Sequence, residues 1–173
     1  MMKYHIVGIE KCGTQSLKEE LLHKGHQVVC HEWLYPFKKG PEFHNKYYPD
    51  YVALFILRNP IERCFSDYRY AVNREQIEEM SLAEALKKFP RFAQGSCYDK
   101  WLKFWSDLCY VQVLHLDDIG RTMHVANARP KSDKTPFTTE DMELIAKEIN
   151  KAKDIEYYRD DLNLEEFKPN NIN

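Results

Sequence analysis

The apolar run Tyr4-His5-Ile6-Val7 feeds directly into Gly8-Ile9-Glu10-Lys11-Cys12-Gly13-Thr14-Gln15-Ser16-Leu17. An apolar run that breaks on glycine and resumes with helical spacing reads as strand, tight loop and helix, a unit that commits a chain to an α/β architecture. Such a loop gathers successive backbone N–H groups and the open N-terminus of a helix around one concave spot, where a phosphate sits. The nucleoside-triphosphate version ends Gly-Lys-Ser/Thr. Here Lys11 precedes Gly13 and Thr14 stands where that lysine would be, so a plain ATPase or GTPase reading is strained.

The rest of the chain repeats the alternation. A first strand is expected over about residues 3 to 8, then a helix with Leu17, Leu21 and Leu22 on one side, stopped by Gly25. Val28-Val29-Cys30 reads as a short second strand, and Val52-Ala53-Leu54-Phe55-Ile56-Leu57 as a parallel strand covered on both faces. Between them, residues 33–51 carry Pro36, Gly40, Pro41 and Pro49 and read as a long irregular loop, a candidate for the acceptor side of a site. Asn59-Pro60 suits an N-cap and first helical position. Ser81-Leu82-Ala83-Glu84 is a capping box, and Tyr98, Trp101, Leu102 and Trp105 fall on one helical stripe. Val111 to Leu116 is a further strand, and Thr138 and Asp141 open a last helix with Met142, Ile145, Ala146 and Ile149 inward. Apolar strands alternating with helices imply a three-layer α/β domain around a central parallel sheet, with ligands at the carboxyl ends of the strands.

A chain of 173 residues suits a single domain spanning 1–173, with residues 168–173 expected as a flexible tail. The net charge of −2 argues against a nucleic-acid coat or an anionic-membrane binder, while leaving room for a local basic pocket. No apolar run reaches the length of a membrane span and no secretory signal opens the chain, so the expected location is the cytoplasm. Five scattered cysteines, never spaced Cys-x-x-Cys, point to reduced thiols and away from a structural zinc site.

A second motif narrows the ligand. Leu57-Arg58-Asn59-Pro60-Ile61-Glu62-Arg63-Cys64-Phe65-Ser66-Asp67-Tyr68 puts an arginine at the end of a buried strand and a hydroxyl two turns into the following helix, a second place for an anion. Together, Lys11-Cys12-Gly13-Thr14 and Arg58-Asn59-Pro60 through Arg63, Ser66 and Tyr68 resemble the sulfotransferases that use 3′-phosphoadenosine 5′-phosphosulfate (PAPS). In that family a Lys-x-Gly-Thr core holds the 5′-phosphosulfate and an Arg-x-Pro-x-x-Arg-x-x-Ser-x-Tyr segment holds the 3′-phosphate. Gly95-Ser96-Cys97-Tyr98, Trp101 to Trp105, and Val113 to Ile119 resemble the family's late helix and strand, so the likeness runs from residue 3 to about residue 165.

The resemblance implies a P-loop-like fold and transfer of a sulfuryl group to an acceptor hydroxyl, with a carbohydrate as one acceptor class. Lys11 would stabilise charge on the leaving phosphate, and Cys12, Gly13, Thr14, Gln15 and Ser16 would line the 5′ side. Arg58 and Ser66 would take the 3′-phosphate, and a late basic loop with Arg129, Lys131 and Lys134 would close over the nucleotide, although the glycine common in that loop is missing. The acceptor's base falls at His31-Glu32: the carbohydrate-directed branch uses a glutamate there and the small-molecule branch a histidine. Glu32 is the favoured base, because it aligns with that glutamate and a partly desolvated carboxylate can be a competent base; His31 stands close behind it, with an ordinary pKa already near neutral. The partners implied are a nucleotide and a hydroxyl acceptor, 3′,5′-adenosine bisphosphate is the product, and no metal is expected. The chain is shorter than family catalytic domains, which leaves the acceptor side reduced or completed in a homodimer.

Plainer readings compete with these. Arg58 suits an ion pair with Glu62, Ser66 a bond to its own helix, and Arg63 is read as structural rather than ligand-binding. Cys12 suits a small filler of a tight loop more than a reactive thiol, since a cysteine phosphatase would need arginine where Lys18 stands. His23, His26, Cys30 and His31 cross a helix end, a turn and a strand, a poor basis for a metal cluster. The rival functions are a P-loop kinase of nucleotides or small molecules and a non-catalytic PAPS-binding module.

Overall fold

A computed structural model describes residues 1–32, 40–116 and 137–153. The described elements are β1 (Lys3–Gly8), α1 (Thr14–His23), β2 (Gln27–Glu32), α2 (Gly40–Tyr47), β3 (Val52–Leu57), α3 (Pro60–Asn73), α4 (Leu82–Lys88), α5 (Arg91–Gln94), α6 (Tyr98–Ser106), β4 (Val111–His115) and α7 (Thr139–Lys153). The four strands form one parallel sheet in the order β2-β1-β3-β4, flanked by helices, which is the α/β arrangement expected from the sequence. In register, Gly8 lies opposite Glu32, and Leu57 opposite His115, so the loops after β1 and β3 leave the sheet at one common end. Among the described residues no helix is long and apolar enough to cross a membrane.

Two apolar clusters support this sheet end. One joins Ile6, Val7, Ile9 and Leu54 to Ile56 of the central strands with Leu17, Trp101 and Trp105. The other fills the space between α3, α4, α5 and α7 with Phe65, Tyr68, Leu86, Phe92, Ile145 and Ile149. Trp101 and Trp105 are almost fully buried, and each aromatic side chain removes roughly 150–250 Å² from water.

Several expectations need correction. Residues 40–47, read as part of an irregular loop, form α2. Pro41 sits in the first turn, where no backbone N–H is required of it. Gly40 is there because a Cβ would fall 2.8 Å from Trp105 Cζ2. Both residues that suggested a loop thus belong to the start of a helix. Leu22 is exposed, because it lies off the stripe that Leu17 and Leu21 share. Met142 is exposed as well, with Ile145, Ile149 and Ala152 carrying the inner face of α7. Strand β2 runs longer than expected, through Glu32, and β4 ends at His115 with Val113 exposed. Residues 33–39 and 168–173 lie outside the described residues.

Candidate active site

The loop between β1 and α1 is built from two residues in the left-handed region, Lys11 at φ 69° and Gly13 at φ 84°. For a lysine this conformation carries a steric cost, of the kind that persists where the surroundings fix the backbone for a purpose. Gly13 is required twice over, since a Cβ would also lie 2.7 Å from Leu116 Cδ1. It begins α1 without any side-chain cap, and the first turn of α1 carries no acidic residue. The leading N–H groups of α1 are therefore not spent on a capping side chain, and no acidic residue within the first turn offsets the partial positive charge of the helix end. Thr14 and Ser16 are buried against this end.

Two arginines fix the loop from behind. Arg63 donates from Nη1 to the Glu10 carbonyl at 3.2 Å, and Arg58 donates from Nη1 to the Lys11 carbonyl at 3.2 Å. A trans peptide carries its C=O and the next N–H on opposite sides. Holding these two carbonyls therefore turns the N–H groups of Lys11 and Cys12 away from the guanidinium groups, toward the concave side.

Arg63 is the anchor of this arrangement. It is wholly buried and donates from Nε to Ser96 Oγ at 2.8 Å and from Nη2 to the Phe92 carbonyl at 2.5 Å, and it pairs with Asp67 at 3.3 Å. Burial opposes its charge, but Asp67 and the nearby cysteine and tyrosine groups outweigh burial and hold the guanidinium above its ordinary pKa. Gly95 leaves room for it, because a Cβ there would lie 2.8 Å from Nη2. The structural role expected for Arg63 is what the hydrogen bonds show.

Arg58 makes the ion pair of its plainer reading: besides the Lys11 carbonyl, it meets Glu62 Oε2 from Nε and from Nη2, each at 3.5 Å. Glu62 is largely exposed, so this pair is a weak, water-screened contact that an anion can replace. At the same corner Asn59 Oδ1 accepts from the N–H groups of Ile61 at 3.0 Å and Glu62 at 3.2 Å, with Pro60 at the first position. Ser66 lies part-buried on α3.

The remaining expected residues divide. Lys11 places Nζ 3.1 Å from the ring centroid of Tyr70 on α3, a cation–π contact that sequence reading missed. The Cys12 side chain faces the core with Sγ 3.6 Å from Tyr98 Oη; burial pushes its thiol pKa up, with Arg63 opposing, so only its backbone can meet a ligand. Gln15 Nε2 is directed at Cys30 Sγ, 4.0 Å away, toward the sheet rather than toward the loop. Glu32 is the last residue of β2, paired in register with Gly8, and its side chain lies outside the described residues. Arg129, Lys131 and Lys134 also lie outside them.

His31 is found in company that the sequence did not predict. Its Nδ1 lies 2.8 Å from His5 Nε2, and His5 Nδ1 lies 2.8 Å from His44 Nδ1. The three rings come from β2, β1 and α2, and register sets His31 against Val7, just before the loop. His5 is fully buried, and burial, with His31 and His44 adding to it, pushes its pKa down to about 2. His31 is lowered by burial and by Lys18, and His44 by burial. The clue in the sequence is His5 itself, a histidine inside an apolar strand. Among the described residues no group of histidines, cysteines and carboxylates has metal-binding geometry.

No family model matches the chain. No curated protein matches it either. Among solved structures it is similar to a sulfotransferase from Alicyclobacillus acidocaldarius, with a TM-score of 0.62 and 18% identity over 88% of this chain and 92% of that one. At that identity the likeness speaks for the fold: over most of its length this chain has the α/β fold of a known sulfotransferase.

Proposed function

We propose that this protein is a sulfotransferase that moves a sulfuryl group from PAPS to an acceptor hydroxyl, of a carbohydrate or a smaller molecule, and releases 3′,5′-adenosine bisphosphate. The observation that carries the reading is the bond from Arg58 Nη1 to the Lys11 carbonyl. It ties an uncapped helix end, suited to one anionic group, to an arginine suited to another, and a donor with separated 5′ and 3′ anions fits both. The TM-score of 0.62 against a sulfotransferase supports the same reading through the fold.

In this reading the N–H groups from Lys11 to Ser16, with the Thr14 and Ser16 hydroxyls, hold the 5′-phosphosulfate. Lys11 leaves the Tyr70 ring to meet negative charge on the departing phosphate, and Arg58 and Ser66 hold the 3′-phosphate. Sulfuryl transfer, like phosphoryl transfer, mostly needs an in-line acceptor and donors aimed at the developing charge. Lysine and backbone donors supply these without a metal. The acceptor's base is placed on His31 or Glu32. Its hydrogen bond to His5 and its lowered pKa, which keeps it neutral near pH 7, support His31. Arg129, Lys131 and Lys134 are assigned to a cover over the nucleotide, and a homodimer to completion of the acceptor side.

Calorimetry in chelator decides between this reading and a P-loop kinase. Micromolar or tighter binding of 3′,5′-adenosine bisphosphate without metal is expected, whereas a clear preference for Mg-ATP would sink it. Sulfuryl transfer to any of a panel of hydroxyl acceptors then separates an enzyme from a PAPS-binding module.

A further inference from the structure

Arg63, Asp67 and Tyr70 stand at i, i+4 and i+7 of α3 and so share one face of that helix. Arg63 holds the backbone of the β1–α1 loop through the Glu10 carbonyl, and about two turns further along Tyr70 holds its side chain, with Lys11 Nζ 3.1 Å from the ring centroid. The two holds differ in kind. Arg63 is wholly buried, whereas Lys11 and Tyr70 are part-buried, where a cation–π contact yields to a charge-assisted bond.

Arg58 fixes the Lys11 backbone through its carbonyl at 3.2 Å, so moving the ammonium requires only rotation of the flexible four-carbon stem. An anion seated on the N–H groups of Lys11 and Cys12 lies within reach of that stem, because its donors belong to the same residue and the next one. Arg74 lies 5.5 Å from the centroid of the same ring, so Tyr70 keeps a cation contact when Lys11 departs.

We propose that Tyr70 is a positioning residue for Lys11: its ring holds the ammonium away from the loop until a ligand with an anion on the 5′ side draws it off. This rests on the sulfotransferase reading. A 3′-phosphate alone, taken by Arg58 and Ser66, leaves the lysine on the ring. The charge that stabilises the departing phosphate therefore arrives only with a nucleotide that carries a 5′ anion. Such a nucleotide binds more weakly by the contact that the ring gives up, and the 3′ side is untouched.

Spectra of protein labelled with carbon-13 in lysine read the contact without turnover. In the free protein the ε-methylene protons of Lys11 are expected upfield of the other lysines, shielded by the ring. Lys3, Lys46 and Lys88 face rings at 5.7, 5.1 and 5.6 Å and are shielded less. The upfield signal should vanish in Tyr70→Leu and persist in Tyr70→Phe. Saturating 3′,5′-adenosine bisphosphate should move it to the ordinary lysine position, and saturating adenosine 3′-phosphate should leave it in place. A signal that stays upfield with bisphosphate bound, or that no ring shields in the free protein, overturns the proposal. Calorimetry gives the second arm. Tyr70→Leu should bind the bisphosphate about threefold or more tighter than wild type, Tyr70→Phe should stay within about twofold, and adenosine 3′-phosphate should bind all three alike. No gain in Tyr70→Leu, or an equal change for both nucleotides, would reduce the ring to packing. Wild-type protein that binds bisphosphate with Lys11 still on the ring keeps the sulfotransferase reading and loses only this proposal, whereas protein that binds no bisphosphate loses both.

Discussion

Helices α1 and α3 begin at the same end of the sheet, each after a central strand, and they begin in opposite ways. Asn59 closes the end of α3, accepting from two of its first N–H groups, and Pro60 removes a third donor. Gly13 opens α1 with no side chain to offer and a left-handed backbone that turns the chain into the helix. A capped helix end has used its donors internally, while an uncapped one holds them in reserve for a ligand. In the proposed reading an anion at α1 is therefore held by backbone and one at α3 by side chains, the part given there to Arg58.

The largest expected effect comes from removing what joins the two ends. Arg63→Ala leaves the Asp67 charge and the Phe92 and Glu10 carbonyls without their partner inside the protein, and should cost about 3–5 kcal/mol in urea unfolding. A loss under about 1 kcal/mol would mean the loop is held by something else.

Gly13→Ala combines a left-handed backbone with a 2.7 Å approach to Leu116 and should cost about 2–3 kcal/mol, with bisphosphate binding weakened more than tenfold. Gly25, at φ 79° but with nothing within 4 Å of a Cβ, is the control, since Gly25→Ala should cost roughly 1 kcal/mol and leave binding alone. Similar binding losses in both would show that loop shape at α1 is not what holds the ligand.

Arg58→Ala tests the side-chain end. A charge-assisted bond contributes roughly 1.5–3 kcal/mol, so bisphosphate affinity should fall at least about tenfold. Stability should fall by about 1 kcal/mol, chiefly through the part-buried bond to the Lys11 carbonyl, since the pair with Glu62 is exposed.

Acid distinguishes the β1 side from the Arg63 side. The folded-state pKa of His5 lies near 2 against an ordinary 6.5, so the unfolded chain binds its proton first as pH falls. The stability it contributes is complete above about pH 6.5 and is lost progressively below it, by up to about 1.4 kcal/mol per pH unit. His31 and His44, also lowered, steepen the loss. Unfolding free energies at pH 7.5, 6.5 and 5.5 should show this slope and His5→Leu should flatten it; an unchanged slope in the variant would put the acid sensitivity elsewhere.

The smallest effect is expected from Asn59→Ala. It removes the cap of α3 and should cost about 1 kcal/mol of stability while leaving bisphosphate affinity within about twofold. A larger drop in affinity would show that the end of α3 supplies ligand contacts after all.

What could be read from the sequence follows from how local each signal is. The strand-loop-helix at residues 3–23 and the Asn59-Pro60 start of α3 are written in adjacent residues, and the structure repeats them with small shifts of boundary. Helix α2 was hidden because Gly40 and Pro41 serve packing against Trp105 and a first-turn position, uses that composition cannot tell from a loop. The anchoring by Arg63 depends on Ser96 and Phe92, some thirty residues away along the chain, and the histidine chain on three separate elements. Pairings across such distances are created by the sheet order, which local periodicity does not encode.

The glycine at position 95 has a meaning for how this protein can change over generations. It packs against the Arg63 guanidinium, and its backbone angle is one any residue can adopt. Yet every side chain larger than hydrogen would push on the guanidinium that holds the Glu10 carbonyl. Position 95 should tolerate almost no substitution in a library selected for bisphosphate binding, and the rare survivors should carry a shortened side chain at position 63.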